Sequence, residues 1–179
     1  MRKLFLVATL FASLFLWACN RSSDKNSAEA SNVILQEADG TYVLKLEKAA
    51  CYSDGTNPSS NTAEWKIIID EPGRYKVWLT SATMDTTDLN YANMVKISFL
   101  DNQLEADPAC DRITGNLDNL NSPYFLADSY MGSFYFAESG EYYIQVISEK
   151  VIPYEALNQS QSDDAETKLM SVNLTPMKR

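Results

Sequence analysis

The sequence predicts an all-β chain folded as an antiparallel β-sandwich of jelly-roll type, on three observations. From Asn32 onward, apolar residues recur at every second position between short runs of turn formers. A strand–turn–strand unit of one pattern occurs twice in that stretch. No segment of it carries helical apolar spacing over the length of a stable helix.

The first unit runs from Trp65 to Thr80. Trp65, Ile67 and Ile69 alternate with Lys66, Ile68 and Asp70. After Glu71-Pro72-Gly73, Tyr75, Val77 and Leu79 alternate with Arg74, Lys76 and Trp78. A three-residue loop ending in Gly suits a hairpin whose last loop residue is left-handed. That register sets Ile69 against Tyr75, Ile67 against Val77 and Trp65 against Leu79 on an apolar face. The other face then sets Asp70 against Arg74 and Lys66 against Trp78. The second unit spans Gly132 to Ser148: Phe134 and Phe136, the turn Glu138-Ser139-Gly140, then Tyr142, Ile144 and Val146. Further strands are expected at Val33–Gln36, Tyr42–Leu46, Val95–Leu100, Gln103–Glu105 and Leu169–Leu174, with a tight turn at Asp101-Asn102.

Hydrophobic residues make up 45% of the 179, enough to bury one core. The formal net charge of −9 repels phosphate backbones, so no nucleic-acid partner is expected. It also gives no attraction to anionic lipid. The chain has no histidine, which excludes Ser-His-Asp and Cys-His catalysis and any His-ligated metal. A carboxylate pair would still be open to it. No acid–base constellation is recognisable, so the chain is read as a non-enzyme.

The N-terminal segment reads as an export signal. Met1-Arg2-Lys3 is basic, and Leu4 to Leu16 is apolar apart from Thr9 and Ser13. As a helix that run would reach roughly 20 Å, short of the roughly 30 Å of a hydrocarbon core. Leu16-Trp17-Ala18-Cys19 then resembles a bacterial lipobox, with an aliphatic residue three before the Cys and a small one just before it. Trp17 departs from the usual small residue at its position. The resemblance implies a signal peptide at 1–18, a lipidated (palmitate-bearing) Cys19, and a lipoprotein exported to the cell membrane or outer membrane, touching lipid only through its anchor. Residues 19–31 are polar without periodicity and read as that lipidated Cys and a tether; 32–179 form the sandwich domain. Cys51 and Cys110 remain. In an oxidising compartment they either bridge or stay as two separate thiols.

Val33-Ile34-Leu35-Gln36-Glu37-Ala38, the turn Gly73-Arg74-Tyr75-Lys76-Val77, the hairpin Phe99 to Gln103, Gly140-Glu141-Tyr142 and the closing strand Leu169 to Leu174 come in an order similar to that of jelly-roll carbohydrate-binding modules, the galactose-binding-domain-like group. The resemblance implies a sandwich that binds glycans. In calcium-binding members a Glu of the first strand and an Asp of the last help hold a structural calcium. Glu37 fits the first position, whereas the closing strand offers Ser171 and Asn173 and no Asp.

Hairpin geometry groups segments 107–129 and 149–166 at one end, and likewise 52–63 with 81–94. The first pair holds Asn116, Asn119, Asn121, Tyr124, Asp128, Tyr154, Asn158 and Gln159. Aromatic faces stack on sugar C–H surfaces while amides and carboxylates take the hydroxyls. Asn119, Asn121, Tyr124, Asp128 and Tyr154 are therefore candidate glycan ligands, and Trp78, on the face away from the apolar stripe, is another. Each aromatic could instead be packing. The expected role is a non-catalytic glycan-binding lipoprotein of a carbohydrate-uptake or envelope system, or alternatively an envelope module that binds a protein partner. Cys19→Ala should leave an unprocessed or soluble chain, which mass spectrometry of the N-terminus and membrane fractionation would read out.

Overall fold

The computed structural model describes residues 33–117, 124–152 and 166–177. Cys19, the leader, the tether, Asn119, Asn121 and Tyr154 lie outside them. Eleven strands form two sheets, and there is no α-helix among the described residues.

Sheet A carries β1 (Val33–Ile34), β4 (Thr62–Ile69), β10 (Gly140–Ile147), β6 (Val95–Phe99) and β7 (Asn102–Ala106) in that order. A short β3 (Ala50–Tyr52) pairs with β4 on the β1 side. Sheet B carries β2 (Tyr42–Lys45), β11 (Lys168–Pro176), β5 (Gly73–Thr83), β9 (Tyr124–Phe136) and β8 (Arg112–Leu117). Neighbours are antiparallel except for β1 and β4. The fold is the expected all-β sandwich.

The pairing within it differs from the hairpin expectation. β4 and β5 belong to different sheets, and so do β9 and β10. The turns at 70–72 and 137–139 are arches that carry the chain across the sandwich. Each arm pairs with an arm of the other arch: Ile67 lies opposite Tyr142 and Ile69 opposite Gly140 in sheet A. Tyr75 lies opposite Phe134 and Gly73 opposite Phe136 in sheet B. The expected neighbours of Ile67 and Lys66 are thus wrong, and Arg74 opposes Tyr135 rather than Asp70. The physical reason is that alternation reports which face is buried, not which strand is the partner. Trp65, Ile67, Ile69, Tyr75, Val77, Leu79, Phe134, Phe136, Ile144 and Val146 are all buried as the parity requires. Gly73 is not left-handed, because an arch does not need the twist of a hairpin turn.

The arches are joined by a ring cluster between the sheets. Phe99 and Tyr142 from sheet A meet Phe136 from sheet B at centroid distances of 4.3 and 5.3 Å. Tyr75 meets Phe136 at 5.5 Å and Tyr42 meets Tyr75 at 5.8 Å, both edge-on. Tyr75 donates to the carbonyl of Glu71 (2.7 Å), and the Asp70 amide donates to the Tyr42 hydroxyl (3.1 Å), so both phenols tie down the first arch.

The expected tight turn after β6 is present one residue earlier, at Leu100-Asp101, with Phe99 opposite Asn102. Within segment 107–129, residues 112–117 are β8 and 124–129 are the first half of β9. Residues 148–151 instead meet the loop before β4 and the loop after β5. The Ser148 amide donates to the Asn61 carbonyl (3.0 Å), Asn61 Nδ2 to the Val151 carbonyl (3.0 Å), and the Ala92 amide to Glu149 Oε1 (2.7 Å).

Cys51 and Cys110 are not joined by a disulfide. Cys51 sits on β3, at the β1 side of sheet A, and Cys110 in the connection from β7 to β8, at the opposite lateral edge of the sandwich. A bridge would have to span the width of the fold, far beyond disulfide reach.

Phe136→Ala should cost about 3–5 kcal/mol, and Tyr135→Ala, on the exposed side of the same strand, under about 0.5 kcal/mol; urea unfolding compares them. Burial, then the charges of Tyr42 and Glu71, push the Tyr75 phenol from 10.0 to about 12. A raised folded pKa stabilises below the unfolded value and loses that stabilisation above it. Stability should therefore fall as pH rises from about 10 to about 12, as urea unfolding at a series of pH values would read out.

Candidate glycan-binding face

The outer face of sheet B holds a groove of about 490 Å³. Its lining comes from every strand of the sheet: Val43 and Lys45 from β2, Met170, Ser171 and Asn173 from β11, Thr80 from β5, Leu126 and Asp128 from β9, and Thr114 from β8. Its volume lies in the range of small-ligand sites.

Asp128 is the centre of its floor, 3% exposed. The Thr80 hydroxyl donates to its Oδ1 (2.5 Å), and Arg112 reaches its Oδ2 through Nε (2.9 Å) and Nη2 (2.8 Å). The Asn173 amide donates to Thr80 Oγ1 (2.8 Å), and Ser171 Oγ donates to Asn173 Oδ1 (3.3 Å). A chain of polar side chains thus crosses four strands, each fixed by the next. The Arg112 guanidinium also lies over the Trp78 ring at 3.9 Å, and Trp78 packs against Tyr130 at 5.2 Å. Two charge-assisted contacts and a cation–π contact hold Arg112 in one orientation.

A bulge puts these groups on one face. Along β9, Phe136 and Phe134 point into the core, and strict alternation would send Gly132, Tyr130 and Asp128 inward after them. The register instead shifts where Val77 pairs with Gly132 and Trp78 with Tyr130, leaving Met131 as the extra residue. Met131 and Ser129 turn inward, and Tyr130 and Asp128 turn outward. Gly132 permits this: its φ is +131°, and a Cβ there would come within 2.9 Å of Leu104.

Of the residues singled out in the sequence, the structure brings Trp78 and Asp128 together on this face. Trp78 is half-buried beneath Arg112, not covered by the N-terminal strand. Tyr124 is a correction: it is 2% exposed at the start of β9, its ring under the Lys168 ammonium at 5.4 Å, and offers no open platform. The bulge breaks the alternation along β9, so the sequence pattern does not mark its first half as strand. Glu37 is exposed in the turn after β1, and no group of three or more Asp, Glu or Cys positioned for a metal occurs among the described residues. Arg112, Tyr130, Thr80 and Asn173 were missed as site residues. Thr80 and Asn173 stand at outward positions of strands whose parity was readable; Arg112 belongs to β8, which has no alternation of its own.

Beside the floor, burial and then the charges of Asp111 and Asp128 push the Cys110 thiol up, so it stays protonated at neutral pH.

No protein-family model matches the chain, and no curated protein matches it. Among solved structures, it is similar to an α-L-fucosidase from Vibrio sp. strain EJY3, at 19% identity and a TM-score of 0.58, over 81% of this chain and 24% of that one. It is also similar to a Podospora anserina GH26-CBM35 β-(1,4)-mannanase, at 10% identity and a TM-score of 0.45, over 79% of this chain and 28% of that one. The chain thus spans about a quarter of the length of the fucosidase. The likeness is one of fold, a β-sandwich domain.

Gly132→Ala should lower the melting temperature and weaken any ligand binding at Trp78, because a side chain strains the bulge that sets both Tyr130 and Asp128. Asp128→Ala should cost about 1–3 kcal/mol by thermal unfolding, since it strands the Thr80 hydroxyl and the half-exposed Arg112.

Proposed function

We propose that this domain binds a glycan on the outer face of sheet B without altering it, and that a lipid on Cys19 holds it at a bacterial membrane as part of a carbohydrate-uptake or envelope system. The observation that carries the binding reading is the placing of Trp78 and Tyr130 on the same outer face as the groove whose floor is the polar row Asp128–Thr80–Asn173, one row along β5 and β9 from it. Rings offer apolar faces to sugar C–H surfaces, and the row offers oriented partners for hydroxyls. The rings and the row are held by other protein groups before a ligand arrives, which lowers the ordering cost of binding. The likeness to a stretch of an α-L-fucosidase is in keeping with a carbohydrate ligand.

The non-catalytic reading rests on the groove's own carboxylates. Asp128 is committed to Arg112 and Thr80, and Glu47 pairs with Lys45 at 3.9 Å. Glycoside hydrolysis asks for one carboxylic acid that gives up its proton and a second carboxylate facing it across the bond. The membrane reading rests on Leu16-Trp17-Ala18-Cys19 and the apolar run before it.

The test is a glycan array probed with the purified full chain, followed by calorimetry on the best binder. Trp78→Ala should weaken binding by about tenfold or more in a variant whose melting curve shows that it still folds. Absence of binding to any glycan, together with co-purification of one envelope protein, would replace this reading with a protein-binding one.

A further inference from the structure

The glycan-binding reading can be carried to a ligand class by the charges beside the groove. β5 and β9 are paired antiparallel, and their outward residues form a ladder of directly opposed pairs: Thr80 with Asp128, Trp78 with Tyr130, Lys76 with Ser133, and Arg74 with Tyr135. Rows two residues apart along a strand are about 7 Å apart, so the ladder runs about 20 Å from the groove floor toward the arches. Its first row is polar and its second aromatic. The last two are cationic, with a hydroxyl and a ring beside the cations.

Among the described residues, Lys45, Lys66, Lys96, Arg112 and Lys150 each have a carboxylate within salt-bridge distance, whereas Arg74 and Lys76, like Lys48 and Lys168, do not. Arg74 and Lys76 are exposed, and no carboxylate of the described residues is within that distance of either. Arg74 instead donates to Ser133 Oγ (3.2 Å) and lies over the Tyr135 ring at 5.8 Å. The outward residues of β5, β9 and β8 thus include three cations and one carboxylate, and that carboxylate, Asp128, is already neutralised by Arg112. The strip of strand residues is therefore itself net positive on a chain of net charge −9, with Asp111 beside Tyr130 and Glu37, Asp39 and Glu71 near Arg74 as the flanking carboxylates. Such a strip attracts an anionic ligand while the rest of the surface repels it.

We propose, resting on the glycan-binding reading above, that the ligand of sheet B is an anionic glycan, whose sugar rings stack at Trp78 and Tyr130 while its carboxylate or sulfate groups lie over Lys76 and Arg74. The cations need no rearrangement to receive them, and Ser133 gives a hydroxyl donor in the same row.

The experiment measures binding of the full chain to four polymers: polygalacturonate and dextran sulfate as the carboxylated and sulfated probes, and galactan and dextran as neutral ones. At low salt at least one anionic polymer should bind about tenfold tighter than its neutral counterpart, and the margin should shrink in about 0.5 M NaCl. Arg74→Ala/Lys76→Ala should remove the margin, Lys76→Ala alone should weaken anionic binding by about threefold, and Lys96→Ala, on sheet A, should change nothing. The single Lys76 variant, fully on the surface, keeps the test valid should the double variant fold poorly. Equal affinity for neutral and anionic polymers with dependence on Trp78 would overturn this proposal and leave glycan binding standing. Anionic binding indifferent to Arg74 and Lys76 would also overturn it. No binding to any of the four, and none on a wider array, would overturn both.

Discussion

The constraint on which this fold depends is the reciprocal pairing of two arches. Each arch alone is two strands that share no hydrogen bonds, so neither can stand as a hairpin. β4 gains its ladder from β10 and β5 gains its ladder from β9, and both ladders exist only once the two arches have met. The rings of Tyr75, Phe99, Phe136 and Tyr142 fill the space where they meet, and contribute both buried area and edge-to-face contacts. Strands far apart in the chain thereby become neighbours. The contacts that close the fold are non-local, and such topologies fold slowly.

The same pairing decides where chemistry can sit. Once β5 and β9 lie side by side at the middle of sheet B, any outward residue on one faces an outward residue on the other. One extra residue in β9 then chooses which ones. Without the bulge at Met131, an aspartate and a tyrosine would face a dry core. With it, Asp128 meets Arg112 and Thr80, and Tyr130 meets Trp78. The bulge rests on Gly132, where Leu104 from sheet A leaves no room for a Cβ. The outer face of sheet B and the packing of sheet A are in this way mechanically linked.

Parity was legible in the sequence; partnership was not. Ile67, Val77, Phe134 and Ile144 could be assigned to the core because a period of two needs no knowledge of neighbours. The turn residues Glu-Pro-Gly and Glu-Ser-Gly serve a hairpin and an arch equally well, so they could not say that the chain changes sheets. β8 was invisible because Arg112-Ile113-Thr114-Gly115 has no apolar alternation, its Ile113 being exposed. Trp78 and Asp128 were found by residue type. Their joining through Arg112 was hidden behind the bulge, which locally destroys the signal that would have revealed the strand. The cysteines stayed open for a related reason: two thiols in one compartment can bridge or stay apart, and only the topology decides.

The two outer faces of the sandwich differ in how they use charge. Sheet A pairs its outward cations locally, Lys66 with Glu141 and Lys96 with Glu105, at surface sites where each pair is worth little. That arrangement keeps a face soluble and free of field. Sheet B concentrates its one buried carboxylate under Arg112 and leaves Arg74 and Lys76 facing water. An ion pair held at the floor by hydroxyl, amide and indole is costly to assemble, and in a purely structural face an apolar floor would be at least as stable. That pair lies on the side where Trp78 and Tyr130 meet, beneath the groove of sheet B. Sheet A, with its short β1 and β3 and its locally balanced charges, is the support that keeps it in register.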